Sequence, residues 1–223
     1  MRTIKLIAPL AVGVALLAGC TSSPAAPATN GMENLDADAI AQASADALEQ
    51  AGSFRVRGEG EDDDGSTIEV DLRYADENIQ GTMSLSGTTL NLLAVDGVSY
   101  LKADGSFWEP FLGEEAAVVL PLLADKWVVM PGSQDLFDEF QAEDLLTPEG
   151  ELTKGEVTTV DGQQAIALES STGGTLYVAL TGEPYPIKLV NDDREMLFTE
   201  IGDEITIEAP DESDVFDLSA FTG

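Results

Sequence analysis

The chain has 223 residues, no histidine and a single cysteine, Cys20. The lack of histidine removes Ser-His and Cys-His nucleophilic pairs, imidazole general bases and most zinc sites. Two short spacings remain that could do chemistry. Ser99-Tyr100-Leu101-Lys102 has the S-x-x-K spacing of acylating serines, in which the two side chains meet across a helical turn. Here it follows the hairpin signal Asp96-Gly97 in strand context, where a spacing of three sends Ser99 and Lys102 to opposite faces. No S-D-N or K-T-G partner accompanies it. Asp62-Asp63-Asp64-Gly65 has the composition of a calcium loop, but with Gly65 at the sixth position the first falls on Gly60, which has no carboxylate. Its flanks read as strands, so a solvated hairpin tip is expected. Forty-two acidic residues supply close carboxylate pairs by chance, and none of them marks a glycosidase-like couple. G-x-S-x-G, Walker A and dinucleotide fingerprints are absent. No enzymatic activity, cofactor or metal is expected.

The chemistry of Cys20 is of another kind. Arg2 and Lys5 precede an apolar stretch, Leu6 to Leu17, too short to span a bilayer as a helix. Leu17-Ala18-Gly19-Cys20 resembles the lipobox of bacterial lipoproteins. Residues 1–19 are therefore expected to be a signal peptide cut after Gly19, leaving a diacylglyceryl thioether on Cys20. Twin arginines are lacking, which points to the general secretion route. A sole cysteine forms no intramolecular disulfide, even in an oxidising compartment. Two or three acyl chains, at about 0.8 kcal/mol per buried methylene, anchor a protein without a spanning helix. Residues 20–34 read as the lipidated N-terminus and a small, polar, proline-containing tether, and 35–223 as one domain large enough for its own core.

Loss of Arg2 and Lys5 with the leader takes the net charge from −32 to −34. That charge opposes nucleic-acid binding, which needs a basic footprint, and opposes direct adhesion to anionic lipid. The anchor must do the holding, on the outer face of the cell membrane.

The elements alternate in kind. A helix is expected from Asp38 to Leu48, with Ile40, Ala43, Ala47 and Leu48 on one face and Gly52 as its stop. In 66–74, Ile68, Val70, Leu72 and Tyr74 alternate with polar residues, the period of a strand wet on one side. Met83 and Leu85, Leu90 to Val95, and Val98 to Lys102 continue an antiparallel meander. Phe111 to Leu123, interrupted at Pro121, is a buried helix pair, and Trp127 to Met130 a short extended piece. A further amphipathic helix is expected over 135–146. Strands resume at Glu156–Val160, Gln163–Glu169, Thr175–Leu180, Ile187–Asn191, Met196–Ile201 and Ile205–Glu208, and Val215–Leu218 closes as a last turn. This order predicts an α+β domain with one large antiparallel sheet of about ten or eleven strands, which must curl, and helices on one side.

Several segments together resemble actinobacterial lipoproteins of the LppX/LprG group. They are Val98-Ser99-Tyr100-Leu101-Lys102, Phe107-Trp108, Leu152-Thr153-Lys154-Gly155, Val160-Asp161-Gly162, Gly174 to Ala179 and Gly182-Glu183-Pro184-Tyr185-Pro186. The likeness runs over roughly residues 50–220 in the order of elements, and the lipobox and tether match the group's habit. It implies a fold similar to the LolA and LolB carriers: a strongly curved antiparallel sheet, an incomplete barrel, with helices covering the concave face. It also implies a monomer that binds acylated lipid or glycolipid there and moves it through the envelope; a non-transporting interaction or sensor module is the alternative on the same fold. On this reading the ligand is lined by Ile68, Val70, Leu72, Met83, Leu85, Leu90, Leu92, Val118, Val119, Leu122, Leu176 and Val178. A one-residue slip would exchange the strand faces.

Overall fold

The computed structural model of the protein describes residues 28–61, 65–129 and 150–218. The leader with Cys20, the helix expected over 135–146 and residues 62–64 of the acidic tip lie outside them. Helix α1 (Ala37–Ala51) starts where the Asp36 carboxylate accepts the Ala39 N–H at 2.9 Å, and stops at Gly52 in the left-handed region. The first meander follows as β1 (Ser53–Glu61), β2 (Thr67–Ala75), β3 (Asn78–Leu85), β4 (Thr88–Val95) and β5 (Val98–Lys102). A helical hairpin, α2 (Gly105–Leu112) and α3 (Ala116–Leu123), leads to the short β6 (Trp127–Val129). The second meander is β7 (Leu152–Val160), β8 (Gln163–Ser170), β9 (Thr175–Ala179), β10 (Pro186–Val190) and β11 (Arg194–Thr199), and β12 (Val215–Asp217) ends it.

All twelve strands join one open, curved sheet in the order β12-β6-β5-β4-β3-β2-β1-β11-β10-β9-β8-β7. The two meanders meet where β1 pairs with β11, which leaves β12 and β7 as the outermost strands. Hairpins at Ser86-Gly87, Asp96-Gly97 and Asp161-Gly162 have positive φ at both central residues, the geometry whose twist matches that of the strands. The α+β class and the curved sheet are as expected.

Three details differ from the sequence reading. Residues 205–208 are not a strand: after β11 the chain crosses the outer face of the sheet as an extended strap. Ile205 and Ile207 pack there on Leu93 and Val95, with Tyr100 and Trp127 beside them. Gly202 N–H and the Ser53 hydroxyl fix its start, bonding Ser53 O at 2.8 Å and Asp203 O at 2.6 Å. The tail then forms β12 rather than a turn. Because it arrives by this crossover and not by a hairpin, it runs parallel to β6, which makes the sheet mixed. Finally, the helical hairpin breaks at the 3₁₀ turn Gly113–Glu115, and Pro121 lies inside α3.

The core sits on the inner face of the sheet. One row of facing residues reads Phe198, Val56, Leu72, Gly81, Leu92, Leu101 and Val128 from β11 to β6. Six of these side chains are buried in one cluster, and the seventh position has none. A methyl on Gly81 would meet Asp71 O at 2.0 Å and Leu72 Cα at 2.8 Å, both backbone. The β2 backbone comes this close to Gly81, and only a missing side chain permits the approach. Gly81→Ala is expected to cost about 3 kcal/mol or more, the upper range for overpacking. Gly105→Ala, whose methyl would touch only Leu120 Cδ2 at 3.7 Å, should change stability by less than about 1 kcal/mol. Urea denaturation of both variants checks this, and equal losses would refute the close approach at Gly81 as a constraint.

Candidate functional site

The inner face offers apolar surface on a scale no single element could hide. Helix α1 covers it over the second meander through Ile40 and Leu48, and Trp108, Val119 and Leu123 of α2 and α3 are buried in the same cluster as the inner side chains of the first. Trp108 is 1 % exposed and donates its indole N–H to Ala103 O at 3.3 Å. Its ring meets Phe107 edge-on at 5.0 Å, and Phe107 lies 5.2 Å from Phe111, so aromatic contact runs from the core to the surface. Both helices of this hairpin are eight residues long and each carries a proline at its sixth position, Pro110 and Pro121. Proline removes a backbone donor, and eight residues are too few for a helix stable by itself. The hairpin is held by its packing.

Ten of the twelve residues read as ligand lining join this one cluster. Leu72, Met83, Leu90, Leu92, Val119, Leu176 and Val178 are buried in it; Ile68, Val70 and Leu85 pack against it half-buried. These ten side chains therefore lie in or against the buried core of the inner face. Val118 and Leu122 do not join: they are 73 % and 49 % exposed, one turn apart on α3, because Val119 and Leu123 take the inward positions. Trp108, Leu101, Val128 and Phe198 belong to the cluster and were missed. Leu101 and Val128 lie in short segments without a readable alternation, and their neighbours across the sheet decide their face.

A cleft of about 490 Å³ opens at the rim of the cluster, between the end of β5 and the α3–β6 turn. Its inner wall is Trp108, Leu120 and Leu123, and its mouth carries Asn91, Lys102, Asp104 and Asp125. Asn91 donates to Lys102 O at 3.3 Å, and Asp104 caps α2 by accepting from the Ser106 hydroxyl and the Ser106 and Phe107 amides. The Ser106 hydroxyl chiefly holds the Asp104 carboxyl below its usual range. Greasy wall and charged mouth together suit an amphiphile, and the volume is that of small-molecule sites. Ser99 and Lys102 are on opposite faces of β5, opposite Ala94 and Asn91 respectively, so they do not meet. Among the described residues no group of three or more acidic or sulfur ligands is placed to hold a metal.

The outer face is built differently. Arg55 on β1 grips Asp71 on β2 with two bonds of 2.7 and 2.6 Å and reaches Glu200 at 2.7 Å; Arg73 lies 3.4 Å from Glu200. The network floors a shallower cleft of about 290 Å³ closed on one side by Trp127.

No family model matches the sequence, and no curated protein does. Solved structures do. LprF from Mycobacterium bovis, 12 % identical, superposes with a TM-score of 0.52 over 78 % of this chain and 96 % of that one. At this identity the likeness is one of fold: the same large, open, curved sheet with helices on it. An uncharacterized conserved protein from Thermus thermophilus matches more loosely, at 12 % identity and a TM-score of 0.42, over 81 % of this chain and 98 % of that one. So does the Pseudomonas aeruginosa MucA/MucB complex, at 18 % and 0.34, over 79 % of this chain and 59 % of that one.

The Arg55 hydrogen bonds hold the Asp71 and Glu200 carboxyls below the ordinary carboxylate range. Folded-state pKa values that lie below the unfolded ones mean that the unfolded chain binds more protons as pH falls, so this stabilisation is complete above about pH 4 and lost below it. Arg55→Met should therefore be less stable than the parent near neutrality, with the gap closing as pH drops through the depressed values. Urea midpoints at neutral pH and near pH 3 test it; a gap independent of pH would refute the assignment.

Proposed function

We propose that the chain is an exported lipoprotein, held at the outer face of the cell membrane by acyl chains on Cys20. Its domain binds an acylated lipid or glycolipid and carries or presents it within the envelope. The observation that carries this reading is the pairing of one apolar sheet face with a short, proline-bearing helical cover and a cleft at its rim. The resemblance to the LppX/LprG group and the fold shared with LprF support it.

The physical logic is that of transfer out of a bilayer. An acyl chain leaving lipid loses about 0.8 kcal/mol for each methylene exposed to water. Contact with Trp108, Leu120 and Leu123 offsets that loss, while the headgroup stays with Asn91, Lys102 and Asp125 at the mouth. Deeper entry requires α2 and α3 to yield, since Trp108, Val119 and Leu123 are buried in the same cluster as Leu90 and Leu92. Helices held by packing alone can be exchanged for a ligand that packs equally well.

A second reading has one observation in its favour. The inner cluster is filled by the protein's own Trp108, Val119 and Leu123, as an interaction module that carries nothing would require.

Native mass spectrometry of the domain lacking Cys20, purified from its own host, separates the two. Co-purified lipid of defined mass is expected. In addition, Ala124→Trp places a bulky ring in the cleft from an exposed rim position. It should lower uptake of a fluorescent fatty-acyl probe several-fold while the melting temperature stays within about 2 °C, less than 1 kcal/mol shifts a domain of this size. A clean apoprotein, with no probe uptake by the parent, would favour the module.

A further inference from the structure

The cleft on the outer face holds polar groups that the rest of the protein leaves unused. Besides Arg55 and Asp71 it is lined by Arg73, Gln80, Gly81 and Thr82, with Trp127 at its side. Arg55 is engaged by Asp71 and Glu200, and Arg73 reaches Glu200 only through Nε. Among the described residues the two terminal nitrogens of Arg73, the Gln80 amide and the Thr82 hydroxyl have no hydrogen-bond partner in the protein. Trp127 packs against the outer cluster of Leu93, Val95 and Ile207, on a strand paired to both β5 and β12. The wall it forms is therefore fixed.

Charge narrows the class of ligand. Arg55 and Arg73 are balanced by Asp71 and by Glu200, which bonds both arginines. An anion would meet two carboxylates here, and a cation two guanidiniums. A wholly apolar ligand would strip water from Arg73 and Gln80 without replacing its hydrogen bonds, which is costly. What the lining matches is a neutral molecule with donors and acceptors around its edge and one apolar face. Arg73, Gln80 and Asp71 are planar, two-pronged groups, and neighbouring hydroxyls on a sugar ring each donate and accept. Trp127 is the one aromatic wall, on which the C–H face of such a ring can lie. At about 290 Å³ the cleft is just under the usual range of drug-sized sites, which suits one ring rather than a long chain.

We propose that Asp71, Arg73, Gln80, Thr82 and Trp127 form a saccharide site that takes one neutral sugar ring. The site goes beyond the carrier reading and does not need it. The sheet nevertheless links the two. Asp71, Thr82, Asn91 and Lys102 face one another in turn across β2, β3, β4 and β5. The first two line the outer cleft, and the last two stand at the mouth of the cleft at the rim. Facing Cβ atoms on neighbouring strands are about 5 Å apart, so the two clefts adjoin along one polar row. The sugar has two sources to be told apart, the headgroup of a lipid seated at the rim and a glycan free of lipid.

Trp108 is 1 % exposed and Trp127 half-buried, so acrylamide quenching of the mature chain reads mainly Trp127. At least one of methyl glucoside, methyl galactoside and methyl mannoside should protect it, with a dissociation constant on the order of 1 mM. Gln80→Leu/Thr82→Val should weaken that binding about tenfold through two lost hydrogen bonds, with the circular dichroism unchanged. Arg73→Lys, which keeps the charge and loses the fork, should weaken it as well and serves if the double variant does not fold. Lack of protection by all three glycosides overturns the site, as does undiminished protection in the variants. Protection by acetate, sulfate or a neutral tetrapeptide in their place overturns it too. A diacylglycerol bearing the protecting sugar separates the sources. Binding about tenfold tighter than the methyl glycoside, as two buried methylenes would give, and lost in Ala124→Trp, identifies a lipid headgroup and supports carriage with it. Equal binding of the two identifies a free glycan: the saccharide site then stands and the lipid cleft fails.

Discussion

One side of a twelve-stranded sheet is apolar from β6 to β8, and water must be kept from it. This constraint orders the rest of the molecule. A sheet of this width curls, but it does not close, because β7 and β12 remain its two edges. Curling alone cannot cover the inner face, so helices must. The long α1, capped at both ends, does this permanently over the second meander. The two proline-bearing helices do it over the first, with less helix stability of their own.

The same constraint acts on the outer face, where β4 carries apolar residues on both sides. Leu90 and Leu92 point inward while Leu93 and Val95 point outward. The strap after β11 answers this by crossing the sheet with Ile205 and Ile207. Its path delivers the tail to β6, so the parallel pair at the edge follows from burying two leucine-type positions rather than from any preference for parallel pairing. The outer face also carries ion pairs, with Arg55 satisfied by two carboxylates and Lys188 paired to Glu195 at 2.6 Å. Apolar within and acidic without, the domain keeps a greasy site in water without exposing it, except at the α2–α3 hairpin.

Ser99 and Lys102 lie on opposite faces of β5. Among the described residues the cleft combines an apolar wall with a charged mouth, and the proposed carriage would use both, the wall for an acyl chain and the mouth for its headgroup.

Much of this was legible in the chain. Strict alternation from Ile68 to Tyr74 chose the inner face of β2, and antiparallel pairing carried that choice across Met83, Leu85, Leu90 and Leu92. Asp-Gly turns located the hairpins because only their left-handed geometry suits the twist. Absence of histidine, a sole cysteine behind a short apolar leader and a heavily negative charge are properties of composition and order, and they restrict function without any fold. Other features were beyond reach. Ile205 to Glu208 has strand-like alternation, yet the neighbours it meets are side chains of Leu93 and Val95 rather than a free strand edge. Val118 and Leu122 are as apolar as Val119 and Leu123, and in a helix hydrophobic on more than one side only the sheet beneath decides which pair is buried. Gly81 reads as a weak point in a strand until its missing side chain is seen against the Asp71 backbone. Periodicity specifies what a segment can bury; what it does bury depends on the surface that long-range packing brings to it.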